Sequence, residues 1–377
     1  MRFLFYDDQA INVLLRDEKP SGGAAVQAHG WLQGLLSQGH EVSLMTDLQR
    51  KGPLKEECKD IRLYPLFDPH KGIRWIRWLY YRVPYLYKHI KTINPDYFYI
   101  GIPSWHSFLF AIICARLKVK FIQRISNDFL LDDRIYKIYS PSHRFFQRLG
   151  IRWAHCVLCQ NDYQLGIIQK EFPGKKVLKI SNPFFLPMER AGMQQETKDY
   201  IAWMGIFQYQ KNLKLLHELA SVLPSEQFYV AGKESAYIDR ESLFYLEALK
   251  KLPNVKLVGF LSRKQVIPFL ARAKFLLNTS HYEGFSNTFL EAMAAGTPII
   301  SSDKVNPDSI ISANRLGIIY SGPEDLKAKF ASLSQESRDE MSRNCLKYVA
   351  EHHDYQKLTR DLLQFLEVDS QIHEYAT

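Results

Sequence analysis

Two glutamates eight positions apart, Glu283 and Glu291, are the residues of this chain that point most directly to chemistry. They lie in residues 281–294, which read His-Tyr-Glu-Gly-Phe-Ser-Asn-Thr-Phe-Leu-Glu-Ala-Met-Ala. An apolar run at 275–278 precedes them, and Gly-Thr-Pro at 296–298 follows. The pattern predicts a strand, a turn that carries the first glutamate, and a helix that carries the second. This arrangement suits a ligand with a diphosphate and a sugar at each end of it.

The predicted helix spans residues 288–295, with Asn287 as its N-cap and Gly296 just beyond its last turn. Its first backbone N–H groups lack partners within the helix, and the helix dipole favours an anion there. Glu291 lies one turn into the helix, where a carboxylate can reach the vicinal hydroxyls of a ribose. Glu283 lies on the other side of the helix start and would face the donor sugar. In the alternative interpretation, both glutamates are solvated charges near a helix end.

Two glycine segments are further candidates for the phosphate side of such a site. A predicted strand ends at Gly205, and Lys211 follows where the next helix begins, so its ammonium could neutralise a departing diphosphate. Gly22 and Gly23 precede a helical stretch at 24–38, and paired glycines let the backbone approach a ligand closely. The alternatives are an ordinary surface lysine at a helix start and a plain turn.

The order of apolar runs predicts the fold class. Thirteen short runs alternate with segments of helical period, which predicts parallel sheets with helices on both faces. The predicted strands are 3–6, 42–46, 61–66, 97–102, 120–125, 156–159, 177–180, 200–204, 228–231, 255–258, 275–278, 298–301 and 318–320. They fall into two sets on either side of a polar stretch at 189–199.

A chain of 377 residues is long enough for two domains. We therefore expect an α/β protein with two Rossmann-like, doubly wound domains, 1–188 and 189–353, that face each other across a cleft. Residues 354–377 contain a C-terminal helix that is expected to pack on the N-terminal domain. Ligands of doubly wound sheets bind at the carboxyl ends of the strands, so the active site is expected in the cleft between the two domains. The donor motifs lie in the second domain, which is expected to bind the nucleotide sugar, and the basic first domain is expected to bind the acceptor.

Cysteine content and hydropathy indicate a cytoplasmic protein. The five cysteines are scattered and odd in number, which argues against a disulfide framework. Cys156 and Cys159 lie three apart in a predicted strand, so they face opposite sides and could not share one zinc ion. The apolar run at the N-terminus is too short for a signal peptide. The nineteen uncharged residues between Asp96 and Arg116 are interrupted near their middle, which predicts a strand, a loop and a helix.

The chain resembles the family 4 retaining glycosyltransferases of the GT-B fold along nearly its whole length. The resemblance is carried by Ser-Gly-Gly at 21–23, Gly-His-Glu-Val at 39–42, Gly205 with Lys211, Val-Gly at 258–259, Glu-Gly-Phe at 283–285 and Glu-Ala-Met-Ala-Ala-Gly-Thr-Pro at 291–298. The last two motifs are specific, and the others support them. By resemblance, Glu283 contacts the donor sugar and Glu291 binds the ribose. By the same resemblance, the amides of Phe285, Ser286 and Asn287 bind the diphosphate. Lys211 corresponds to the family's lysine, and a backbone contact to the base lies near Leu261.

The resemblance implies transfer of a hexosyl unit from a nucleotide-diphosphate sugar, with a UDP-sugar favoured, and with retention to give an α-linkage. The acceptor would be a glycan or a lipid-linked glycan of bacterial cell-surface polysaccharide synthesis. No cofactor or metal is expected, because the chain has no Asp-x-Asp motif. The family usually has arginine where this chain has Ile206, which leaves Lys211, the helix dipole and Lys233 to neutralise the diphosphate. An inactive sugar-nucleotide-binding paralogue and a GT-B sugar-nucleotide epimerase are the alternatives.

The distribution of charge along the chain suggests which half binds the acceptor. Residues 1–200 carry 29 basic and 19 acidic side chains, whereas residues 201–377 carry 20 and 21. Residues 73–88 interleave arginines with aromatic residues, as segments that lie on an anionic membrane do. The alternative is an amphipathic helix with its aromatic residues in the core. We expect peripheral association with the inner face of the cytoplasmic membrane and no nucleic-acid partner, because the second half is neutral and no nucleic-acid module appears.

Three residues of the basic half are candidates for acceptor contacts. Arg124 and Asp128 lie at the end of the predicted strand 120–125, and His106 opens a predicted helix. In the alternative interpretation, the arginine and the aspartate pair with each other and the histidine is structural.

Overall fold

The computed structural model describes residues 1–17, 22–49, 51–74, 76–185 and 198–374. The chain divides into two compact units. The first unit is Met1–Phe185 with Asp354–Thr377, and the second is Leu186–His353. The domain boundary predicted between residues 188 and 189 lies outside the described residues.

The first unit is built on a seven-stranded parallel sheet in the order β3-β2-β1-β4-β5-β6-β7. Its strands are β1 (Arg2–Tyr6), β2 (Glu41–Thr46), β3 (Arg62–Pro65), β4 (Tyr97–Ile100), β5 (Lys120–Arg124), β6 (Cys156–Cys159) and β7 (Val177–Lys179). Its helices are α1 (Ile11–Leu14), α2 (Gly23–Ser37), α3 (Val83–Ile93), α4 (His106–Leu117), α5 (Pro141–Trp153) and α6 (Asp162–Glu171), together with the final helix of the chain.

The second unit is built on a six-stranded parallel sheet in the order β10-β9-β8-β11-β12-β13. Its strands are β8 (Tyr200–Phe207), β9 (Phe228–Glu234), β10 (Val255–Gly259), β11 (Ala273–Asn278), β12 (Ile299–Ser302) and β13 (Gly317–Tyr320). Its helices are α7 (Leu213–Val222), α8 (Arg240–Leu249), α9 (Arg263–Ala271), α10 (Asn287–Ala294), α11 (Ile310–Ala313), α12 (Pro323–Ala331) and α13 (Gln335–His352), and the chain ends with α14 (Tyr355–Glu374) in the first unit.

The strands read as continuous apolar runs because helices cover both faces of each sheet. In β4, for example, Tyr97 and Tyr99 pack in one hydrophobic cluster and Phe98 packs in the cluster on the opposite face. In β6, Cys156 and Cys159 likewise belong to different clusters, as residues three apart on a strand should. The two doubly wound parallel sheets confirm the predicted fold class.

The interrupted apolar stretch after Asp96 forms β4, a loop and α4, as predicted. Among the helices of the described residues, none is long and apolar enough to cross a bilayer. The final helix, α14, packs on α2 of the first unit. A methyl group on Gly34 would lie only 1.9 Å from the Thr359 hydroxyl, so a glycine at this position lets the two helices approach.

The prediction that a strand ends at Gly205 is wrong, because β8 continues to Phe207. Gly205 pairs in register with Gly232 of β9. A methyl group added to Gly232 would lie 2.0 Å from the Gly205 carbonyl oxygen. Gly232 therefore permits a close approach of the two strands, and the turn toward Lys211 begins two residues later than expected.

Candidate active site

Lys211 and Glu283, the two residues predicted to be catalytic, form an ion pair in the second unit. Lys211 ends a short 3-10 turn after β8, and Glu283 follows β11. The Lys211 ammonium lies 2.5 Å from Glu283 Oε1, and the two side chains are only 17% and 9% exposed. Both groups therefore lie at the carboxyl end of the sheet, where ligands of doubly wound folds bind.

Neighbouring polar residues fix the orientation of this pair. Ser280 Oγ donates to Glu283 Oε1 at 2.8 Å, and Gln210 Nε2 donates to Oε2 at 3.3 Å. Thr279 Oγ1 donates to the carbonyl of Lys211 at 2.7 Å and accepts from Trp203 Nε1 at 2.9 Å. Three donors on one carboxylate, from Lys211, Ser280 and Gln210, restrict the Glu283 side chain to one rotamer.

Sequence reasoning missed Ser280, Gln210 and Thr279. The signal that could have found two of them is the Asn-Thr-Ser run at 278–280, where polar residues begin as the buried strand ends. An ammonium has three N–H bonds. Lys211 can therefore keep its bond to Glu283 and still donate to phosphate oxygens.

Helix α10 begins one residue earlier than predicted, and its N-cap is Ser286 rather than Asn287. Ser286 has extended backbone angles, φ −74° and ψ 120°, which place the helix start at Asn287. The Ser286 hydroxyl lies 2.9 Å from the Thr288 hydroxyl and makes no side-chain cap to the backbone. An N-terminus without a side-chain cap, preceded by Gly284, is suited to binding an anion through backbone N–H groups.

The other end of α10 is firmly held. Gly296 has a φ of 67°, the left-handed conformation predicted for the residue after the helix. Its carbonyl oxygen accepts from Lys198 Nζ at 2.7 Å and from Ser342 Oγ at 2.6 Å.

Aromatic contacts hold the beginning of α10. The Phe285 ring, just before the helix, contacts the rings of Phe289 and His353. These contacts fix the direction in which the N-terminus of the helix points.

Glu291 is 8% exposed and faces Arg263, whose Nη1 lies 3.4 Å from Glu291 Oε1. Burial raises the pKa of Glu291, and the guanidinium of Arg263 opposes that rise. Arg263 is the first residue of α9 and follows the half-buried Leu261 by two positions. The structure therefore brings the predicted ribose residue and the predicted base contact to the same region. Sequence reasoning missed Arg263, whose only signal was its position at a helix start after Gly259.

Ile206, which stands where the family has arginine, is 37% exposed in β8. It pairs in register with Lys233 of β9. Paired residues of neighbouring strands project from the same face of a sheet. A cation therefore lies beside the position from which the arginine is missing, and its Nζ is 6.0 Å from the centre of the Phe260 ring.

The glycine candidates of the first unit lie at the start of α2. Gly22 is the extended N-cap residue and Gly23 is the first residue of the helix. The Gly22 N–H donates to Gln9 Oε1 at 3.3 Å. The serine of this motif, Ser21, lies outside the described residues.

Arg124 and Asp128 bind different partners rather than each other. Arg124 is fully buried and donates through Nη2 to Asn182 Oδ1. Asp128 Oδ1 accepts from Asn161 Nδ2 at 3.0 Å and from Gln164 Nε2 at 2.8 Å. Burial raises the pKa of the Asp128 carboxyl. The structure thus gives each side chain a set of contacts within the first unit.

His106 is the first residue of α4 and lies among aromatic rings. Its ring centre is 4.3 Å from that of Trp78, with 30° between the planes, and 4.0 Å from that of Trp105. Burial, and then the charges of Arg82 and His143, lower the pKa of His106 from 6.5 to about 4. The side chain is therefore neutral at neutral pH.

The lowered pKa of His106 predicts a loss of stability in mild acid. The unfolded chain takes up this proton near pH 6.5 and the folded chain only near pH 4, so the free energy of unfolding falls as the pH falls through that window. His106→Phe should show a smaller decrease in melting temperature than the wild type between about pH 7 and about pH 4.5. The exposed His70→Phe is the control and should follow the wild type. Equal decreases in wild type and His106→Phe would contradict the assignment.

Two family models match the chain, one in each half. The model described as "Glycosyl transferases group 1" matches residues 188–352, and the model described as "Glycosyltransferase Family 4" matches residues 21–184. Together they cover most of the sequence, including the paired glutamates and the glycine segment before α2.

The curated relatives have low sequence identity to this chain over the regions that match. The chain is 29% identical over 127 residues to the 2-deoxystreptamine N-acetyl-D-glucosaminyltransferase of Niallia circulans, a match that spans 32% of each protein, about a third of that relative's length. It is 23% identical over 314 residues to an uncharacterised glycosyltransferase of Methanocaldococcus jannaschii, a match that spans 74% of this chain and 76% of that protein.

Solved structures share the fold. Sucrose-phosphate synthase of Thermosynechococcus elongatus is similar with a TM-score of 0.74 at 14% identity, covering 99% of both chains. HepE of Anabaena in complex with UDP and glucose is similar with a TM-score of 0.71 at 15% identity, covering 98% of this chain and 100% of that one. Because both halves match glycosyltransferase family models and the two parallel sheets match GT-B structures, the chain belongs to the family 4-type glycosyltransferases of the GT-B fold.

Proposed function

We propose that this glycosyltransferase moves a hexosyl unit from a UDP-sugar to a glycan or lipid-linked glycan, with retention of configuration. The observation that carries the proposal is the largely buried Lys211–Glu283 pair, whose glutamate lies just before the start of α10. A sugar diphosphate can be bound by a cation and a helix start without a side-chain cap, which suit the diphosphate, and by an anchored carboxylate, which suits the sugar. The complex of HepE with UDP supports a uridine nucleotide.

Each part of the donor is assigned to a residue of the second unit. Glu283 accepts hydrogen bonds from hydroxyls of the donor sugar, and the backbone around Phe285 and Ser286, continuing to Asn287, binds the diphosphate. Glu291 binds the ribose hydroxyls, and the backbone near Leu261 binds the base. The ionised form of Glu291 is the better acceptor for two hydroxyls, and Arg263 favours that form.

The proposed chemistry is attack on the same face as the leaving group. The bond from the anomeric carbon to the phosphate oxygen breaks, and a bond from that carbon to the acceptor oxygen forms. The acceptor proton passes to the departing phosphate oxygen, so no protein carboxylate acts as a covalent nucleophile. The transition state resembles an oxocarbenium ion. Lys211 stabilises the charge that develops on the diphosphate, and added manganese is not expected to be required.

A catalytically weak or inactive sugar-nucleotide binder is the second candidate, and Ile206 is the observation that favours it. One lost charge-assisted contact is worth roughly 1.5–3 kcal/mol. Lys233, paired with Ile206, offers a cation that can replace part of that contact. Transfer is therefore the favoured function.

Incubation with UDP- and GDP-sugars, with and without an acceptor extract, tests the proposal. Acceptor-dependent release of free nucleotide is the expected result. Binding without release would indicate the inactive paralogue, and formation of an epimeric sugar nucleotide would indicate an epimerase. Either of those outcomes contradicts the proposed transfer.

The acceptor proposal rests on the surface of the first unit. In the segment 73–80, exposed Ile73, Ile76 and Leu79 repeat at helical spacing, and Leu79 is 80% exposed. Trp78 and Arg82 instead pack inward, where Arg82 lies over the Trp78 ring at 4.8 Å. The inward-facing residues match the amphipathic-helix alternative, and the exposed residues are the ones available for the membrane alternative. Arg74 is also exposed, and exposed apolar and basic side chains together are typical of segments that bind anionic lipid.

The same segment contains an irregular helical turn. Residues Trp78–Arg82 form a π-helical turn just before α3. Pro84 has no N–H to donate to the carbonyl of Tyr80, so the regular α-helical bond is lost at this turn. A second exposed group, Phe145 and Phe146, lies on α5. We propose that these surfaces bind the inner face of the cytoplasmic membrane, where a lipid-linked glycan of cell-surface polysaccharide synthesis is held.

Sedimentation with anionic vesicles at low salt tests the membrane surface. The double variant Ile76→Ser, Leu79→Ser should lower vesicle partitioning by about tenfold or more, because each exposed side chain contributes roughly 1–2 kcal/mol on burial. The control is Leu243→Ser, an exposed leucine of the second unit, which should leave partitioning unchanged. Failure of the wild type to sediment with anionic vesicles would contradict the proposal.

A further inference from the structure

A histidine, a cysteine and a glutamate of the first unit converge at a point that the proposed transfer does not use. His29 lies on α2, and Glu57 and Cys58 lie in the 3-10 turn Glu56–Cys58, in the connection between β2 and β3. One ligand atom from each of the three residues lies within 4.8 Å of the other two. Cys58 Sγ is 3.6 Å from His29 Nε2.

These distances suit a tetrahedral metal ion. With zinc bonds of about 2.3 Å to sulfur and 2.0–2.1 Å to nitrogen, two ligand atoms at the tetrahedral angle are separated by about 3.6 Å. The sulfur and nitrogen atoms here have that separation. A thiolate, a carboxylate and a neutral imidazole also balance the double positive charge of the ion. Three protein ligands leave the fourth position for a water molecule.

The surroundings of the three residues resemble the outer shell of a metal site. His29 is nearly buried and Cys58 is fully buried, whereas Glu57 is exposed and can adjust its side chain. Gln33 Nε2 donates to Cys58 Sγ at 3.3 Å and to the Glu57 carbonyl at 2.9 Å. The edge of the His29 ring packs against Phe185. Donors to a thiolate and packed rings orient metal ligands in this way.

We propose that His29, Glu57 and Cys58 bind one zinc ion. The ion would join α2, which begins at Gly23, to the connection between β2 and β3. Because the unfolded chain has no preformed site, binding stabilises the first unit. The site lies in the other unit from the Lys211–Glu283 pair, so its failure and the failure of the proposed transfer are separate results.

Cobalt and zinc titrations of the chelator-treated full-length protein test this proposal. Cobalt should bind at one site with a thiolate-to-cobalt absorption band, and zinc should displace it and raise the melting temperature. Cys58→Ser should lose the band. Glu57→Gln, at an exposed position that does not threaten folding, should weaken cobalt binding by more than the roughly 10–100-fold that loss of an outer-shell partner costs. Cys114→Ala, at a buried cysteine of the same unit, is the control and should keep the band.

Two results would overturn the zinc site. The first is a folded wild-type protein that shows no thiolate-to-cobalt band at saturating cobalt. The second is a band of unchanged intensity and affinity in both Cys58→Ser and Glu57→Gln. Either result would leave the contact between His29 and Cys58 as a thiol–imidazole hydrogen bond.

Discussion

Lys211→Ala is expected to lower the rate of sugar transfer by roughly 10²–10³-fold, the cost of removing one group that stabilises developing charge in a buried site. The Lys211 ammonium is the cation that contacts Glu283, at 2.5 Å, and both groups are largely shielded from water. Its loss removes the charge that stabilises the leaving diphosphate. It also leaves the Glu283 carboxylate without its ion-pair partner.

The matched control is Lys214→Ala, which removes an exposed lysine three residues further along. It should keep wild-type rates. Initial rates of nucleotide release at saturating donor separate the two variants, and circular dichroism shows whether each is folded. A folded Lys211→Ala protein with a rate within a few-fold of wild type would exclude a role for this ammonium in transfer.

Glu291→Ala is expected to weaken binding of the nucleotide sugar by roughly 10–100-fold. A hydrogen bond from a ribose hydroxyl to a charged acceptor is worth about 1.5–3 kcal/mol, and Glu291 is buried beside Arg263 in the second unit. The rise in melting temperature that a ligand causes grows with the ratio of its concentration to Kd. The variant should therefore lose most of the shift that UDP-sugars give to wild type.

Glu247→Ala is the control for this experiment, because Glu247 is a glutamate on the exposed side of α8 that pairs with Lys250. It should show the wild-type shift. Glu291→Gln, which keeps the shape of the side chain, should fall between wild type and alanine. A wild-type shift in Glu291→Ala would remove ribose binding from this residue.

The sheets could be predicted from the sequence because their signal is local. A parallel strand covered on both faces, such as β6 or β11, is a short apolar run bounded by polar residues. The position of Gly296 was also predictable, because a left-handed residue after a helix strongly favours glycine. The membership of both glutamates in one strand–turn–helix unit followed from the same local pattern.

The contacts within the site could not be predicted, because they join segments far apart in the chain. Nothing in the spacing of Lys211 and Glu283 shows that the two side chains meet. The pairing of Glu291 with Arg263 likewise depends on how α9 packs beside α10. The start of α10 was misplaced by one residue because Ser286 and Asn287 are both preferred N-cap residues.

The basic and aromatic segment at 73–88 shows a third reason why some features could not be predicted from the sequence. Its composition fitted both a membrane surface and a buried amphipathic helix. In the structure Trp78 and Arg82 pack inward, whereas Ile76 and Leu79 are exposed. Membrane binding by the exposed residues stays a prediction. A π-helical turn lies in this segment, just before Pro84, and composition alone does not show which side chains of such a turn point inward.

Amide hydrogen exchange of residues 284–289, with and without UDP, tests most directly whether the start of α10 binds the diphosphate. Exchange in this segment should be slower when UDP is bound, with α12 unchanged as an internal reference. If UDP binds, as shown by a raised melting temperature, and exchange at 284–289 stays the same, the diphosphate lies elsewhere and the proposed active site is wrong.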